Sequence, residues 1–331
     1  MRTQSSLLVS PMLRKCRSSV AGAVRTGLCM LLVLGIGACV PSAGMPQVES
    51  LSGPLDAPAG QATSAGQTSS AGQATSAGMP AADGQVAAPD GGVPTIPTSS
   101  GAAAPLSSGS QRIVTVGDSL TEGDGDEGGG GFPARVLVQV QQSRPESTLL
   151  NLGRSGWSSE QLINGAYGNP NQLDAAVAAQ PTIACVWIGS NDLWFLYAYG
   201  GGAGVDDELE SADLAAYTAN IDTILGKLTA TGARVYVALL DDQSKRPVSV
   251  KGVVFPTMTA VELAEMSAQV VRYNNAIIAA AQRYNATVVD FYHTTIFVTP
   301  ATLADDDVHP NPAGYDQIAS MWFAAIEPAL R

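Results

Sequence analysis

The sequence predicts an α/β fold, a three-layer α/β/α sandwich around a five-stranded parallel sheet. Three observations predict it. Five short runs rich in Val, Ile, Leu and Thr occur beyond residue 111, at 113–116, 148–152, 183–188, 235–240 and 287–291. Helix-length stretches separate and follow them, near 133–143, 213–229, 259–284 and 312–327. Most of the runs end in a turn of Gly, Asp, Asn and Ser, at the strand edge where ligands bind in such sheets. Near-continuous apolar strands suit a sheet covered on both faces, joined by right-handed crossovers.

The elements upstream of that domain are of another kind. Residues 1–38 hold Arg2, Arg14, Lys15, Arg17 and Arg25 and no acid, and they close on an apolar run at 28–38. That run is shorter than the roughly 20 residues a spanning helix needs, and a basic start before a short apolar core reads as a secretory signal. Its end, Ile36-Gly37-Ala38-Cys39, resembles the bacterial lipobox, which makes Cys39 the expected lipidation site. Acyl chains there would hold the chain to a membrane at about 0.8 kcal/mol per buried CH2. From Val40 to about Gly109 the chain is Ala, Gly, Ser, Thr, Pro and Gln, with four acids and no aromatic residue. Such a segment buries too little apolar surface to offset its ordering entropy, and is expected to be a disordered tether with a mean span of about 45 Å. The expected organisation is a lipoprotein signal over 1–38, lipidated Cys39 and tether over 39–110, and one domain over 111–331.

Charge and composition narrow the function. The 331 residues carry 17 Lys+Arg against 29 Asp+Glu, a net charge of −12, with two His and four Cys. Removing the five basic residues of the signal leaves −17. That acidity argues against nucleic acid and against adhesion of the domain itself to anionic lipid, so membrane attachment is expected through Cys39 only. Scattered cysteines and two histidines leave little material for a zinc site, and no cofactor is expected. Cys185, in an apolar run, reads as a buried structural thiol. Exported and lipid-anchored, the protein is taken as a monomer by default.

Taken in order, the strand ends carry the chemistry. After the first strand stands Gly117-Asp118-Ser119-Leu120, after the second Asn151-Leu152-Gly153-Arg154-Ser155-Gly156-Trp157, and after the third Gly189-Ser190-Asn191-Asp192. Near the C-terminus stands Asp306-Asp307-Val308-His309-Pro310-Asn311. Each alone has a reading as a simple turn. The helix at 259–284 is justified by Val261, Ala264, Ala268, Val271, Asn275 and Ile278, at spacings of three and four.

These four blocks resemble the SGNH, or GDSL, hydrolase family of serine esterases, whose fold is a flavodoxin-like sandwich. The resemblance implies Ser119 as nucleophile, His309 as general base and Asp306 as its orienting carboxylate. It implies an oxyanion hole from Ser119, Gly156 and Asn191. A weakly nucleophilic hydroxyl needs an adjacent base, and a carboxylate three residues before the histidine can reach its other ring nitrogen. The implied activity is hydrolysis of carboxylic esters through an acyl-Ser119 intermediate, on a small-molecule, glycan or lipid ester. Within enzymes the rival is a carbohydrate O-acetylesterase. Outside them it is an inactive surface-binding lipoprotein.

Competing motifs are weaker. Gly123-Asp124-Gly125-Asp126-Glu127-Gly128 fits G-x-G-x-x-G but starts well past the strand and places acids where a pyrophosphate would lie. The same acids lack the continuation of a calcium loop, and no metal is expected. His293, at the end of the fifth strand, reads as structural. Trp194 and Tyr197, in the aromatic stretch before Gly200, are candidate substrate contacts that could line an acyl pocket, stack on a sugar or start a buried helix. Arg154, beside Gly156, could face an anionic substrate or pair with Asp118 or Glu122.

Overall fold

The computed structural model describes Gly92, residues 94–96, 105–198, 205–251 and 258–331. The signal segment, Cys39, nearly all of the tether, and Tyr199 with the glycines after it lie outside the described residues.

Five parallel strands, β1 (Arg112–Gly117), β2 (Thr148–Asn151), β3 (Ile183–Trp187), β4 (Arg234–Ala238) and β5 (Thr287–Val289), form one sheet in the order β2-β1-β3-β4-β5. This is the flavodoxin-like order, and its strand order reverses between β1 and β3. In chain order the helices are α1 (Ser119–Glu122), α2 (Gly131–Gln141), α3 (Ser159–Asn164), α4 (Gln172–Ala178) and α5 (Ser190–Tyr197). They continue with α6 (Asp207–Ala230), α7 (Pro247–Lys251), α8 (Ala260–Tyr284) and α9 (Pro312–Leu330). Helices α2 and α9 pack together, as do α6 and α8. With the right-handed crossovers usual for parallel strands, this order puts the first pair on one face of the sheet and the second on the other.

The central strand β3 is apolar throughout because both faces are covered, and every one of its residues is buried. On the α2/α9 side Trp187 stacks on Phe291, ring centres 4.2 Å apart, while Phe132 stacks on Trp322 at 5.1 Å. Such offset aromatic pairs contribute about 0.5–1.5 kcal/mol each beyond burial. Cys185 is buried in β3 and burial pushes its thiol well up, as a structural thiol requires.

Helix starts follow their caps. Thr259 and Glu262 form a reciprocal capping box that opens α8 where the periodicity placed it. Helix α6 opens at Asp207, six residues before the expected 213, because Asp206 accepts from the Leu209 N–H and three acids occupy the first turn. Strands β4 and β5 end earlier than expected. Leu240 leaves the ladder to exchange hydrogen bonds with the Asn274 side chain, N–H to Oδ1 and Nδ2 to carbonyl, both at 2.8 Å. Packing of the domain begins before Gln111: Leu106 donates its N–H to the Ala329 carbonyl at 2.8 Å and lies against the core.

Candidate active site

The chain turns sharply out of β1. Both polar groups of Gly117 are held by one buried side chain, the Gln172 amide, whose Oε1 accepts from the Gly117 N–H and whose Nε2 donates to its carbonyl, each at 2.9 Å. A side chain at Gly117 would put Cβ 2.1 Å from the Trp187 carbonyl oxygen, so only glycine fits. Asp118 then caps α1, its Oδ1 accepting from the Leu120 N–H at 3.0 Å. Asp118 is fully buried, and among the described residues its Oδ2 has no partner. Burial pushes its carboxyl up to about 7, against the Leu120 hydrogen bond and the attraction of Arg246. Ser119 follows as the first residue of α1.

The loop after β2 is pressed onto this turn. Asn151 accepts from the Thr115 hydroxyl and the Gly153 N–H and donates to the Thr121 carbonyl. Arg154 donates its N–H to the Gly117 carbonyl at 3.0 Å. Gly156 then adopts φ +77°, a conformation that favours glycine, and the space beside its Cα is open. Among the described residues neither the Ser119 nor the Gly156 N–H has an acceptor. Asn191, buried in the first turn of α5, gives one N–H of its amide to the Trp157 carbonyl at 2.9 Å and keeps the other. Its neighbour Asp192 accepts from the Ser159 N–H and hydroxyl, tying α5 to α3; burial pushes its carboxyl up to about 6.

The acid–base pair comes from the loop before α9. A bridge between Leu303 and Pro310, with the Ala304 N–H on the His309 carbonyl at 2.8 Å, closes this loop on itself. Inside it Asp306 Oδ2 lies 2.6 Å from His309 Nδ1, while Oδ1 accepts from the Val308 and His309 N–H groups at 2.9 Å. Burial acts to raise the Asp306 carboxyl, but the hydrogen bond to His309, its charge and those N–H groups outweigh it and hold the group at about 2. Asp307 sits at φ +61° and turns away to pair with Lys251 at 2.6 Å. Its geometry excludes it as the partner of His309.

The turn after α1 joins the two loops. Asp124 donates its N–H to the Ser119 carbonyl at 3.1 Å, and its Oδ2 lies 3.9 Å from His309 Nε2. A Cβ at Gly125 would stand 3.0 Å from that of His309. Asp124 also accepts from the Ser155 hydroxyl at 2.7 Å, and Glu122 from the Ser155 N–H at 2.5 Å. Ser119, Gly156, Asn191, Asp306 and His309 thus come from four segments knit to one edge of the sheet.

The structure places the three candidate substrate contacts differently. Trp194 and Tyr197 are buried, 3% and 6% exposed, and the Tyr197 hydroxyl donates to Glu210 inside the core. Of the readings open for the aromatic stretch, the start of a buried helix is the one its burial fits, and it is Phe195 that faces outward. Arg154 is exposed and, among the described residues, forms no ion pair with Asp118 or Glu122. In the acidic loop Asp126 instead binds Arg135 in a fork and accepts from the Gly131 N–H. Among the described residues no group of three or more His, Cys, Asp or Glu is placed to hold a metal.

Spacing alone does not separate the two histidines. Asp290 stands three residues before His293 and accepts from its Nδ1 at 2.7 Å, as Asp306 does for His309. What differs is the surroundings, since His293 opens onto a groove lined by Thr295, Gln317, Ser320 and Met321. Sequence reasoning missed Gln172 and Arg246, and it met Asp124 only as part of an acidic loop. The contacts that bring them to the site, with Gly117, Val308 and His309, join distant segments, so no local pattern marks them.

Solved structures similar to this chain include LAE5, an alpha/beta hydrolase from the metagenome of Lake Arreo, at 21% identity and TM-score 0.48, covering 68% of this chain and 99% of that one. Axe2, an acetylxylan esterase from Geobacillus stearothermophilus, is 19% identical at TM-score 0.46, covering 67% and 95%. The esterase EstA from Pseudoalteromonas sp., inhibited by monoethylphosphonate, is 16% identical at TM-score 0.46, covering 66% and 97%. No curated protein matches the chain. Residues 115–317, more than half of the chain, from within β1 into α9, match the model of the GDSL-like lipase/acylhydrolase family, and the chain belongs to that family.

Proposed function

We propose that this serine ester hydrolase splits carboxylic esters through an acyl-Ser119 intermediate, and that it is exported and held to a bacterial membrane by lipid on Cys39. The observation that carries the catalytic reading is the Asp306–His309 pair, 2.6 Å apart, on a loop packed against the turn that follows Ser119. With Nδ1–H donated to an ionised carboxylate, Nε2 is left as the base. Ser119 Oγ adds to the ester carbonyl carbon as His309 Nε2 takes its proton. The oxyanion receives the Ser119 and Gly156 N–H groups and the second amide N–H of Asn191. Collapse breaks the bond to the leaving oxygen, which takes the proton from His309 as the alcohol departs. Water then attacks the acyl group, gives its proton to His309, and releases the acid with Ser119 restored.

Anchoring rests on the basic start, the short apolar run and Ile36-Gly37-Ala38-Cys39. Among the described residues no helix is long and apolar enough to cross a membrane.

The test uses the full chain and Ser119→Ala on p-nitrophenyl esters from acetyl to palmitoyl. Hydrolysis by the parent that vanishes in a folded Ser119→Ala supports the reading, and the chain-length profile defines the acyl pocket. A folded parent inactive on every ester and on acetylated sugars refutes it. Cys39→Ser should move the protein from the membrane fraction to the soluble one with its activity retained; continued membrane retention refutes the anchor.

A further inference from the structure

Under the acid–base loop lies a cation that the reaction as written does not use. Arg246, just past β4, is 1% exposed. Its Nε and Nη2 fork onto the two oxygens of buried Asp241 at 2.8 and 2.6 Å, and its plane lies over the Phe297 ring, 4.5 Å from the centre. The remaining arm, Nη1, donates to the Val308 carbonyl at 3.2 Å.

That last contact decides the matter. Val308 and His309 share one peptide unit, and its N–H end is already fixed, because the His309 N–H donates to Asp306 Oδ1. The peptide immediately before the histidine is therefore gripped at both poles, the carbonyl by Arg246 and the N–H by Asp306. A peptide held this way resists rotation, and rotation there would turn the imidazole whose Nε2 is the base proposed for Ser119. The fork on Asp241 and the Phe297 face leave the guanidinium a single orientation, so the grip is transmitted from the end of β4. The charged groups around it are Asp118, Asp241 and Asp306. Replacing a buried ion pair with apolar groups of similar volume is often neutral or stabilising, so stability alone does not explain a cation here.

We propose that Arg246 is a positioning residue for hydrolysis: clamped on Asp241, it holds the Val308 carbonyl and so fixes the direction in which His309 faces Ser119. The proposal rests on the serine-hydrolase reading above.

The test compares the parent, Arg246→Lys and the paired Asp241→Leu/Arg246→Met. Lysine keeps the charge but cannot fork onto Asp241 and reach Val308 together; the pair removes the clamp without leaving a charge unpaired. Each is assayed for kcat and KM on a p-nitrophenyl ester, for the rate at which an alkyl fluorophosphonate modifies Ser119, and for cooperative melting. The low-field proton signal of His309 Nδ1–H is followed by NMR. The chain has only two histidines, so His293→Asn assigns it. Both variants should stay folded yet lose about 10²-fold in kcat at nearly constant KM, with phosphonylation slowed in parallel and the low-field signal shifted or broadened. Folded variants whose kcat and phosphonylation match the parent's overturn the proposal. So does a loss that only follows the unfolded fraction. If the parent itself hydrolyses no ester and takes up no phosphonate, the hydrolase reading has failed and this role with it; an active parent with undiminished variants refutes the role alone.

Discussion

Asp118→Asn should reshape how stability depends on pH, and the structure gives the sign and the size. The carboxyl is fully buried, one oxygen caps α1, and burial raises it from 3.8 to about 7. Between those values the unfolded chain has released this proton while the folded chain still holds it. The folded state then binds more protons, so stability is highest below about 4 and falls as pH rises toward 7. A shift of about three units at 1.36 kcal/mol each sets an upper bound of about 4 kcal/mol on the loss. Asparagine keeps the capping oxygen and has nothing to ionise. In urea unfolding from pH 4 to 8, the stability of Asp118→Asn relative to the parent should grow by up to about 4 kcal/mol to near pH 7 and then level off. Buried Asp192 has the same sign but is common to both proteins and cancels. A difference that stays flat, or one that shrinks as pH rises, would show that Asp118 is ionised in the fold and that Arg246 outweighs burial.

Three further outcomes are expected. Asn191→Ala removes one of three oxyanion donors and should lower kcat by about 10²–10³ with KM little changed; a loss under tenfold contradicts the assignment. Gly117→Ala should destabilise by about 3 kcal/mol or more, since its Cβ meets the Trp187 carbonyl oxygen at 2.1 Å, and an unshifted urea midpoint would refute that steric account. EDTA should leave activity intact because Arg135 and the Gly131 N–H already occupy Asp126; loss of activity restored by Ca2+ would reverse this.

What the sequence disclosed depended on distance along the chain. The strands were legible because a sheet covered on both faces makes its strands predominantly apolar, β3 from end to end. Their last residues were not, because Leu240 is as apolar as its neighbours yet spends its backbone bonds on Asn274. Helix α8 announced itself by its period, whereas α1 and α5, at four and eight residues, are too short for a period to show. The Asp306–His309 contact spans three residues and could be read directly. Gln172 reaches back 55 residues to Gly117, and Arg246 forward 62 to Val308, so neither leaves a local trace. The burial of Trp194 and Tyr197 was not legible because aromatic content does not say which side of a short helix faces the core.

The Gln172 amide has one more consequence. It presents to Gly117 the same donor and acceptor, in the same plane, that a neighbouring main chain would, so β1 ends on an imitation of one more rung of the sheet. This inner strand can thus stop without an orphaned group and let the backbone swing away within one residue, into the turn that carries Ser119. The imitation is only as good as a single atom. In Gln172→Glu an oxygen replaces the donating nitrogen, two lone pairs face each other across 2.9 Å, and a site that no ligand touches would lose its footing from behind.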